Sequence, residues 1–414
     1  MTVDSVHVLG ARAKVASRQL ATSSASQRNS AIRAAADLLA SEAHAVLDAN
    51  EHDLEQAAKD VLGPTAMDRL RLTPARLESM SASLQAIADL TDPLGELAGG
   101  WVQPNGLRVS RVRVPLGVVG IIYENRPNVT SDAAGLCLKA GNSVLLRGSS
   151  SAQRSNAAIV GVLRKALDKA GLPEDAAVLV DDPTHEAAVE FMRLRGIIDC
   201  LIPRGGPALI ASLLENATVP YVLDGDGNCH VYVDANADLN MALAIVTNAK
   251  MQRPGVCNAA ETLLVHAAVA DAFLPALREA MEGVEWVGDE RVRVIVPEAG
   301  VATDEDFATE FLALKMSVAV VDGIEAAIEH IARYSSGHSE AIITNDLPTA
   351  ERFVQEVDAA AVLVNASTRF VDGGELGLGA EVGISTQKLH ARGPMGVRDL
   401  TCVKWVIHGQ GHVR

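Results

Sequence analysis

Gly117-Val118-Val119-Gly120-Ile121-Ile122-Tyr123 is an apolar run without polar alternation, the pattern of a strand covered on both faces. Downstream the chain alternates between helix and strand. Asp132 to Lys139 reads as a helix and Ser143 to Leu146 as a strand. Ala152 to Ala170 is a helix stopped by Gly171-Leu172-Pro173. Ala177 to Val180, Ile197 to Ile202 and Val219 to Leu223 read as further strands with helices between them. Regular β–α alternation of this kind predicts a parallel sheet with helices on both faces. A second alternating block runs from His230 to Val364.

Upstream, Val3 to Leu90 is helical in character: apolar residues recur at helical spacing, as in Ile32, Ala35, Ala36, Leu38 and Leu39. Thr73-Pro74 marks a helix start with proline in the first turn. The pattern changes at Gly99-Gly100. Trp101 to Val114 alternates around the turn Gln103-Pro104-Asn105-Gly106, which predicts a hairpin. Two strands alone are marginal in water, so this hairpin needs a further partner. The strand-like end of the chain, Cys402 to Ile407, is the candidate.

The 414 residues are too many for one ordinary core and predict two or three domains. No apolar stretch is long enough to cross a bilayer, and Met1 to Gly10 lacks the basic and apolar segments of a secretory leader. Five cysteines (Cys137, Cys200, Cys229, Cys257, Cys402) are dispersed without CxxC spacing. That pattern fits a reducing compartment, hence a cytoplasmic protein, and offers no metal site. The net charge of −16 argues against a nucleic-acid partner. An acidic protein that handles anions must concentrate arginine or lysine at the site itself.

One stretch carries the clearest chemistry: Asn248-Ala249-Lys250-Met251-Gln252-Arg253-Pro254-Gly255-Val256-Cys257-Asn258. A helix beginning near Asp238 runs into a Pro-Gly break, and a cysteine comes at once. A loop thiol with a cation four residues before it can be held partly as thiolate, the form that attacks carbonyl carbon. By spacing alone a second reading stays open, that Cys257 is a small buried apolar side chain.

In its motifs the chain resembles the aldehyde dehydrogenase superfamily, and within it the branch that reduces glutamyl phosphate. The matching segments are Tyr123-Glu124-Asn125-Arg126-Pro127-Asn128, Lys139-Ala140-Gly141-Asn142 with Leu146-Arg147-Gly148, Arg253 to Asn258, Gly337-His338-Ser339-Glu340-Ala341, and Ala380 to Thr386 through His390 to Gly396. They occur in order from Tyr123 to near the C-terminus. The resemblance implies an α/β fold of three parts. These are a Rossmann-type NADP-binding domain (1–98 and 115–226), an α/β catalytic domain (227–400) and a small β oligomerisation flap (99–114 and 401–414). In the superfamily such a flap augments the sheet of a neighbouring subunit, which implies a homodimer or homotetramer.

The resemblance also assigns residues. Cys257 is the expected nucleophile, and Asn125 the side-chain donor of an oxyanion hole; the alternative for Asn125 is a cap on the helix after it. Arg147, Ser149 and Ser150 stand at the carboxyl end of a strand, where nucleotides bind. NAD-specific relatives often place a glutamate near the Ser150 position, so the expected cofactor is NADPH, with Arg147 as a phosphate ligand. Gly205 and Gly206 are expected cofactor contacts, and Glu310 is expected on the nicotinamide ribose. Arg126, Arg253 and Arg392 are the local cations expected to bind the substrate, with Arg126 and Arg253 the candidates for its phosphate, and His338 and Ser339 are expected at the amino-acid end of the substrate or as turn-formers.

One departure bears on the reaction. Hydrolysing relatives carry a glutamate base in a Glu-Leu-Gly-Gly stretch. Here the segment is Val222-Leu223-Asp224-Gly225-Asp226-Gly227-Asn228-Cys229, and the glutamate's place falls at Leu223, with Asp224 one residue away. A thioester that exchanges with phosphate needs no such base. The implied reaction is reduction of L-glutamyl 5-phosphate to L-glutamate 5-semialdehyde and phosphate, for proline synthesis, with glutamate 5-kinase as the possible donor of substrate. A phosphate-independent semialdehyde dehydrogenase and a catalytically silent binding protein are the alternatives.

Overall fold

The computed structural model describes residues 4–223 and 225–414. The chain forms two compact units: Met1–Leu223 with Gly377–Gly383 and Met395–Arg414, and Asp224–Leu376 with Ile384–Pro394.

The first unit opens with helices α1 (Val6–Leu20), α2 (Ala25–Ser41), α3 (Ala43–Lys59), α4 (Pro64–Leu70) and α5 (Pro74–Asp89). Helix α5 starts where the sequence places it, with the Thr73 hydroxyl accepting from the Arg76 N–H. The hairpin comes next as β1 (Leu97–Val102) and β2 (Arg108–Pro115). Then come β3 (Val118–Tyr123), α6 (Pro127–Lys139), β4 (Ser143–Arg147), α7 (Gln153–Lys169), β5 (Ala177–Leu179), α8 (His185–Met192), β6 (Cys200–Arg204) and α9 (Pro207–Asn216). Among the described residues the four strands after the hairpin form a parallel sheet in the order β5-β4-β3-β6. One face buries Val118, Ile122 and Leu145 against Phe191 of α8 and Ala13 of α1. Ile32, Leu39, Leu84 and Ile87, from the α2 and α5 helices, are also fully buried. Apolar burial on this scale contributes about 1.5–3 kcal/mol for each large side chain.

Val219 to Leu223, expected as a strand, makes a single bridge through Tyr221 to Leu201. Leu201 N–H donates to Pro220 O and Val222 N–H to Leu201 O, and the ladder goes no further because Pro220 and Pro203 have no N–H to donate.

The second unit is the second alternating block: β7 (Cys229–Val233), α10 (Leu239–Met251), β8 (Ala260–His266), α11 (Ala267–Ala280), β9 (Glu285–Gly288), α12 (Glu290–Ile295), β10 (Gly300–Val301), α13 (Asp304–Phe307), β11 (Lys315–Val321), α14 (Ile324–Tyr334), β12 (Ser339–Ile343), α15 (Leu347–Glu356) and β13 (Ala361–Val364). Its sheet is parallel, in the order β10-β9-β11-β8-β7-β12-β13. Val231, Leu263 and Val318 pack with Phe273 and Leu274 on one face, and Tyr232, Leu264 and Ile342 with Ile331 and Phe353 on the other. A two-residue pair, β14 (Ile384–Ser385) with β15 (Gly393–Pro394), completes it.

The last strand, β16 (Thr401–His408), lies antiparallel on β2 along its whole length, giving a three-stranded sheet β1-β2-β16. The pairing of hairpin and tail inferred from their alternation is thus present. By its internal contacts the chain groups differently from the expected three parts. The flap clusters with the first unit, and residues 377–383 and 395–400, expected in the catalytic domain, do so too. Backbone bonds explain this: Val382 N–H donates to Met395 O and Met395 N–H to Gly383 O. The Asn142 carboxamide adds a tie, accepting from Gly117 N–H at 2.9 Å and donating to Leu400 O at 2.8 Å.

Candidate functional site

In the first unit the chain turns sharply between β3 and α6, and Asn125 sits there with φ at +40°, a conformation asparagine tolerates better than most residues. Its Oδ1 accepts from the Ser149 hydroxyl at 3.1 Å and from the Ser151 hydroxyl, and its own N–H donates to Ser149 Oγ at 3.3 Å. Two serines therefore fix the carbonyl side of the carboxamide, which leaves the NH₂ as the side presented for donation. The capping alternative is not what forms. The cap position of α6 is Arg126, without a side-chain bond to the helix. Ser149 is thus engaged with Asn125. The neighbouring Arg126 is half-buried.

Ser150 lines a cleft between the carboxyl ends of β4 and β5, with Gly148, Gln153, Asp181 and Asp182. Gln153 donates to Asp181 Oδ1 at 2.7 Å, and Asp182 accepts from the Thr184 hydroxyl and N–H, bonds that hold its carboxyl below the usual range. Hydroxyl, amide and carboxylate groups together suit the hydroxyls of a ribose. Arg147, expected as a phosphate ligand, is bonded to the loop after β5. Its Nη2 donates to the carbonyls of Pro183 and Thr184, at 3.1 and 2.7 Å. It braces the loop that forms the cleft wall, and burial lowers its pKa.

At the other glycine-rich turn, Gly206 N–H, the cap of α9, donates to Glu124 Oε2 at 2.9 Å. A β-carbon on Gly205 would come within 2.8 Å of the same carboxylate. A β-carbon there would also meet the Leu209 side chain at 2.7 Å, so a larger residue at 205 would displace Glu124, a residue to which the sequence alone assigns no role, or Leu209.

In the second unit Cys257 lies on the loop from α10 to β8 and is half-buried. Cys137, Cys200 and Cys229 are buried and Cys402 is exposed. Burial pushes the Cys200 thiol up to about 12 and those of Cys137 and Cys229 well above the usual range. Cys229, the first residue of β7, donates its S–H to the Cys257 carbonyl at 3.1 Å. Gly227 lies against the same peptide. Its N–H donates to Glu310 Oε1 at 2.9 Å, so the expected ribose ligand is also tied to the floor of the thiol loop.

Behind the loop, Lys250 and Glu261 form a fully buried ion pair at 2.5 Å. Glu261 Oε1 also accepts from Leu312 N–H at 3.2 Å, two residues beyond Glu310. Leu312 has φ at +52°. Burial raises the Glu261 carboxyl to about 7 against the pull of Lys250, and lowers Lys250.

His338 and Ser339 are placed in the core. Both are fully buried, bonded to each other at 2.7 Å, and His338 Nδ1 lies 3.6 Å from Cys229 Sγ. Through Cys229, which donates to the Cys257 carbonyl, they lie beneath the thiol loop. Arg392 pairs with Asp358 at 2.9 Å. Arg253 is exposed on the thiol loop. A further arginine, Arg369, is not singled out by the sequence. Its Nε donates to Gln252 Oε1 at 2.7 Å and its Nη1 to Asn258 Oδ1, so it spans the loop that carries Cys257. Its sequence signal is weak, because the contact joins residues more than a hundred apart and no motif surrounds it. Leu223 offers no base, and Asp224 lies outside the described residues.

Comparison with known proteins places these parts in context. The sequence profile of the Aldehyde dehydrogenase family matches residues 1–296. A gamma-glutamyl phosphate reductase of Moorella thermoacetica is 54% identical over 411 residues, covering 99% of this chain and 98% of that protein. One of Thermobifida fusca is 53% identical over the same length, with the same coverage. The crystal structure of gamma-glutamyl phosphate reductase from Thermotoga maritima superposes with a TM-score of 0.97 at 46% identity, covering 99% of this chain and all of that one.

Proposed function

The chain belongs to the aldehyde dehydrogenase family, and from that membership we propose the reaction it catalyses: reduction of L-glutamyl 5-phosphate to L-glutamate 5-semialdehyde and phosphate, a step of proline biosynthesis. The full-length likeness to reductases of that name carries the reading, and the chemistry of the residues agrees with it.

The Cys257 thiolate attacks the acyl carbonyl, a C–S bond forms, and the C–O bond to phosphate breaks. Negative charge on the carbonyl oxygen in that step is met by the Asn125 NH₂, whose orientation the two serines fix. The family uses a nicotinamide cofactor. When bound it supplies hydride to the thioester carbon. Collapse of the resulting thiohemiacetal returns the thiolate and frees the semialdehyde. Ser150 and its cleft would hold the adenosine ribose and Glu310 the other ribose. We assign NADPH because Ser150 stands where NAD-specific relatives often place a glutamate; Asp181 and Asp182 line the same cleft and take part in ribose binding in this reading. Leu223 supplies no base for hydrolysis, which favours phosphate as the acceptor of the acyl group.

In this reading the protein acts in the cytoplasm on substrate made by glutamate 5-kinase. It assembles as a homodimer or homotetramer through the β1-β2-β16 sheet. That sheet exposes Trp101 and Trp405, stacked edge to face at 5.7 Å, with Val102 and Ile407. Its outer strands are open edges of the kind that proteins normally cover.

The test is the reverse assay: NADP⁺ reduction by glutamate 5-semialdehyde, with and without phosphate or arsenate. Steady turnover should require one of the two anions; without either, reduction should stop at about one equivalent per active site. Equal rates without either would assign the chain to hydrolytic oxidation.

A further inference from the structure

We propose that Arg369 is the residue that binds the phosphoryl group of the acyl phosphate, with Arg253 beside it. The proposal rests on the acyl-phosphate reading of the substrate.

A protein of net charge −16 that takes a dianion needs uncancelled cations at its nucleophile. Arg392 is ion-paired with Asp358, a carboxylate it shares with Lys388. Arg369 is held differently. It sits in a single helical turn, Thr368–Phe370, started by the Ser367 hydroxyl. Its two partners, Gln252 and Asn258, are neutral carboxamides at either end of the thiol loop. Asn258 in turn donates to Val371 O at 3.0 Å, which closes the turn onto the loop. Among the described residues no carboxylate lies within ion-pair distance of Arg369; Asp372 and Glu375 act on it only at longer range. Its charge is therefore fixed in place without being cancelled.

The side chain is also electrostatically coupled to the right groups. Burial lowers its pKa most and the positive charge of Arg253 lowers it further, while the Asp372 carboxylate, the Cys257 sulfur and the Glu375 carboxylate raise it. Two cations and the thiol thus share one neighbourhood. Nη2 makes no hydrogen bond among the described residues and is left for a ligand. A guanidinium so anchored offers a preset fork to a phosphate, which a flexible lysine does not.

Two measurements test this on the full-length protein. The first is the KM for phosphate in the reverse assay. Arg369→Gln should raise it about tenfold or more, as expected for loss of a charge-assisted bond, while the KM for NADP⁺ stays within about twofold. Arg369→Lys should fall between. The second measurement does not depend on the substrate: alkylation of Cys257 by anionic iodoacetate and by neutral iodoacetamide. Arg369→Gln should lower the iodoacetate rate several-fold and leave the iodoacetamide rate nearly unchanged. An unchanged KM for phosphate together with an unchanged rate ratio overturns the proposal. If the unsubstituted enzyme shows no phosphate dependence, the substrate reading fails, and the alkylation ratio alone then decides whether Arg369 binds anions. Should Arg369→Gln not fold, Arg369→Lys decides on the same two readouts.

Discussion

Gly227 passes so close to Cys257 that a β-carbon at 227 would come within 1.6 Å of the Cys257 carbonyl oxygen. No rotation of a side chain relieves such an overlap, because both parties are backbone. The floor of the thiol loop is therefore set by a residue with no chemistry of its own. Gly227→Ala should displace the loop and lower kcat by about a hundredfold, the usual cost of a misplaced nucleophile. Circular dichroism should show the fold retained, and turnover within threefold of the original would refute the close approach.

The Lys250–Glu261 pair should behave as a buried ion pair does. Removing Lys250 should cost about 3–5 kcal/mol of stability at pH 8, where Glu261 is ionised, whereas Lys250→Met with Glu261→Leu should be more stable there than Lys250→Met alone. The pH dependence comes from the raised Glu261 pKa. With the ordinary value at 4.5 and the folded value at about 7, the carboxyl is protonated in both states below the first value and costs nothing there. Stability is lost as pH rises through the window between them. In Lys250→Met the carboxyl loses its cation, so the window widens upward. The melting temperature of that variant should lie near the original at pH 5 and well below it at pH 8. A gap of the same size at both pH values would contradict this.

Cofactor choice should turn on the Ser150 cleft. Ser150→Glu adds a third carboxylate beside Asp181 and Asp182, and should weaken NADPH about tenfold more than NADH through like-charge repulsion. Titration of the two cofactors by fluorescence reads this directly. An unmodified protein that prefers NADH would remove this role from the cleft.

Assembly should depend on β16. Deleting residues from Thr401 onward removes the partner of β2 and leaves its edge open. Light scattering should then report monomers or soluble aggregates with little activity, against a dimer or tetramer for the intact chain. An active intact monomer at micromolar concentration would end the proposal.

How much of the fold and site is legible in the sequence depends on the range of the interactions. Strand β3 and helix α10 are legible because burial and helical period are local properties, and Cys257 is legible because a Pro-Gly break precedes it. The antiparallel pairing of β16 with β2 is long-range, yet the alternation of two strands without other partners exposes it. Arg369 and Glu124 are not legible, since each acquires its role from residues remote in the chain, Gln252 and Asn258 for one and Gly206 for the other. Position alone suggests ligand roles for Arg147 and Ser339. In the structure one braces a loop carbonyl pair and the other lies wholly inside the core. Spacing gives the neighbourhood of a side chain but not the direction in which it points.

In the proposed reaction a glutamyl thioester forms on Cys257, and phosphate, not water, resolves it. The most direct test is the intact mass of the enzyme after incubation with glutamate 5-semialdehyde and NADP⁺ in phosphate-free buffer. A glutamyl adduct should accumulate, map to Cys257, be absent in Cys257→Ser, and disappear on addition of phosphate. Steady formation of free glutamate without phosphate, with no adduct at Cys257, would contradict the account.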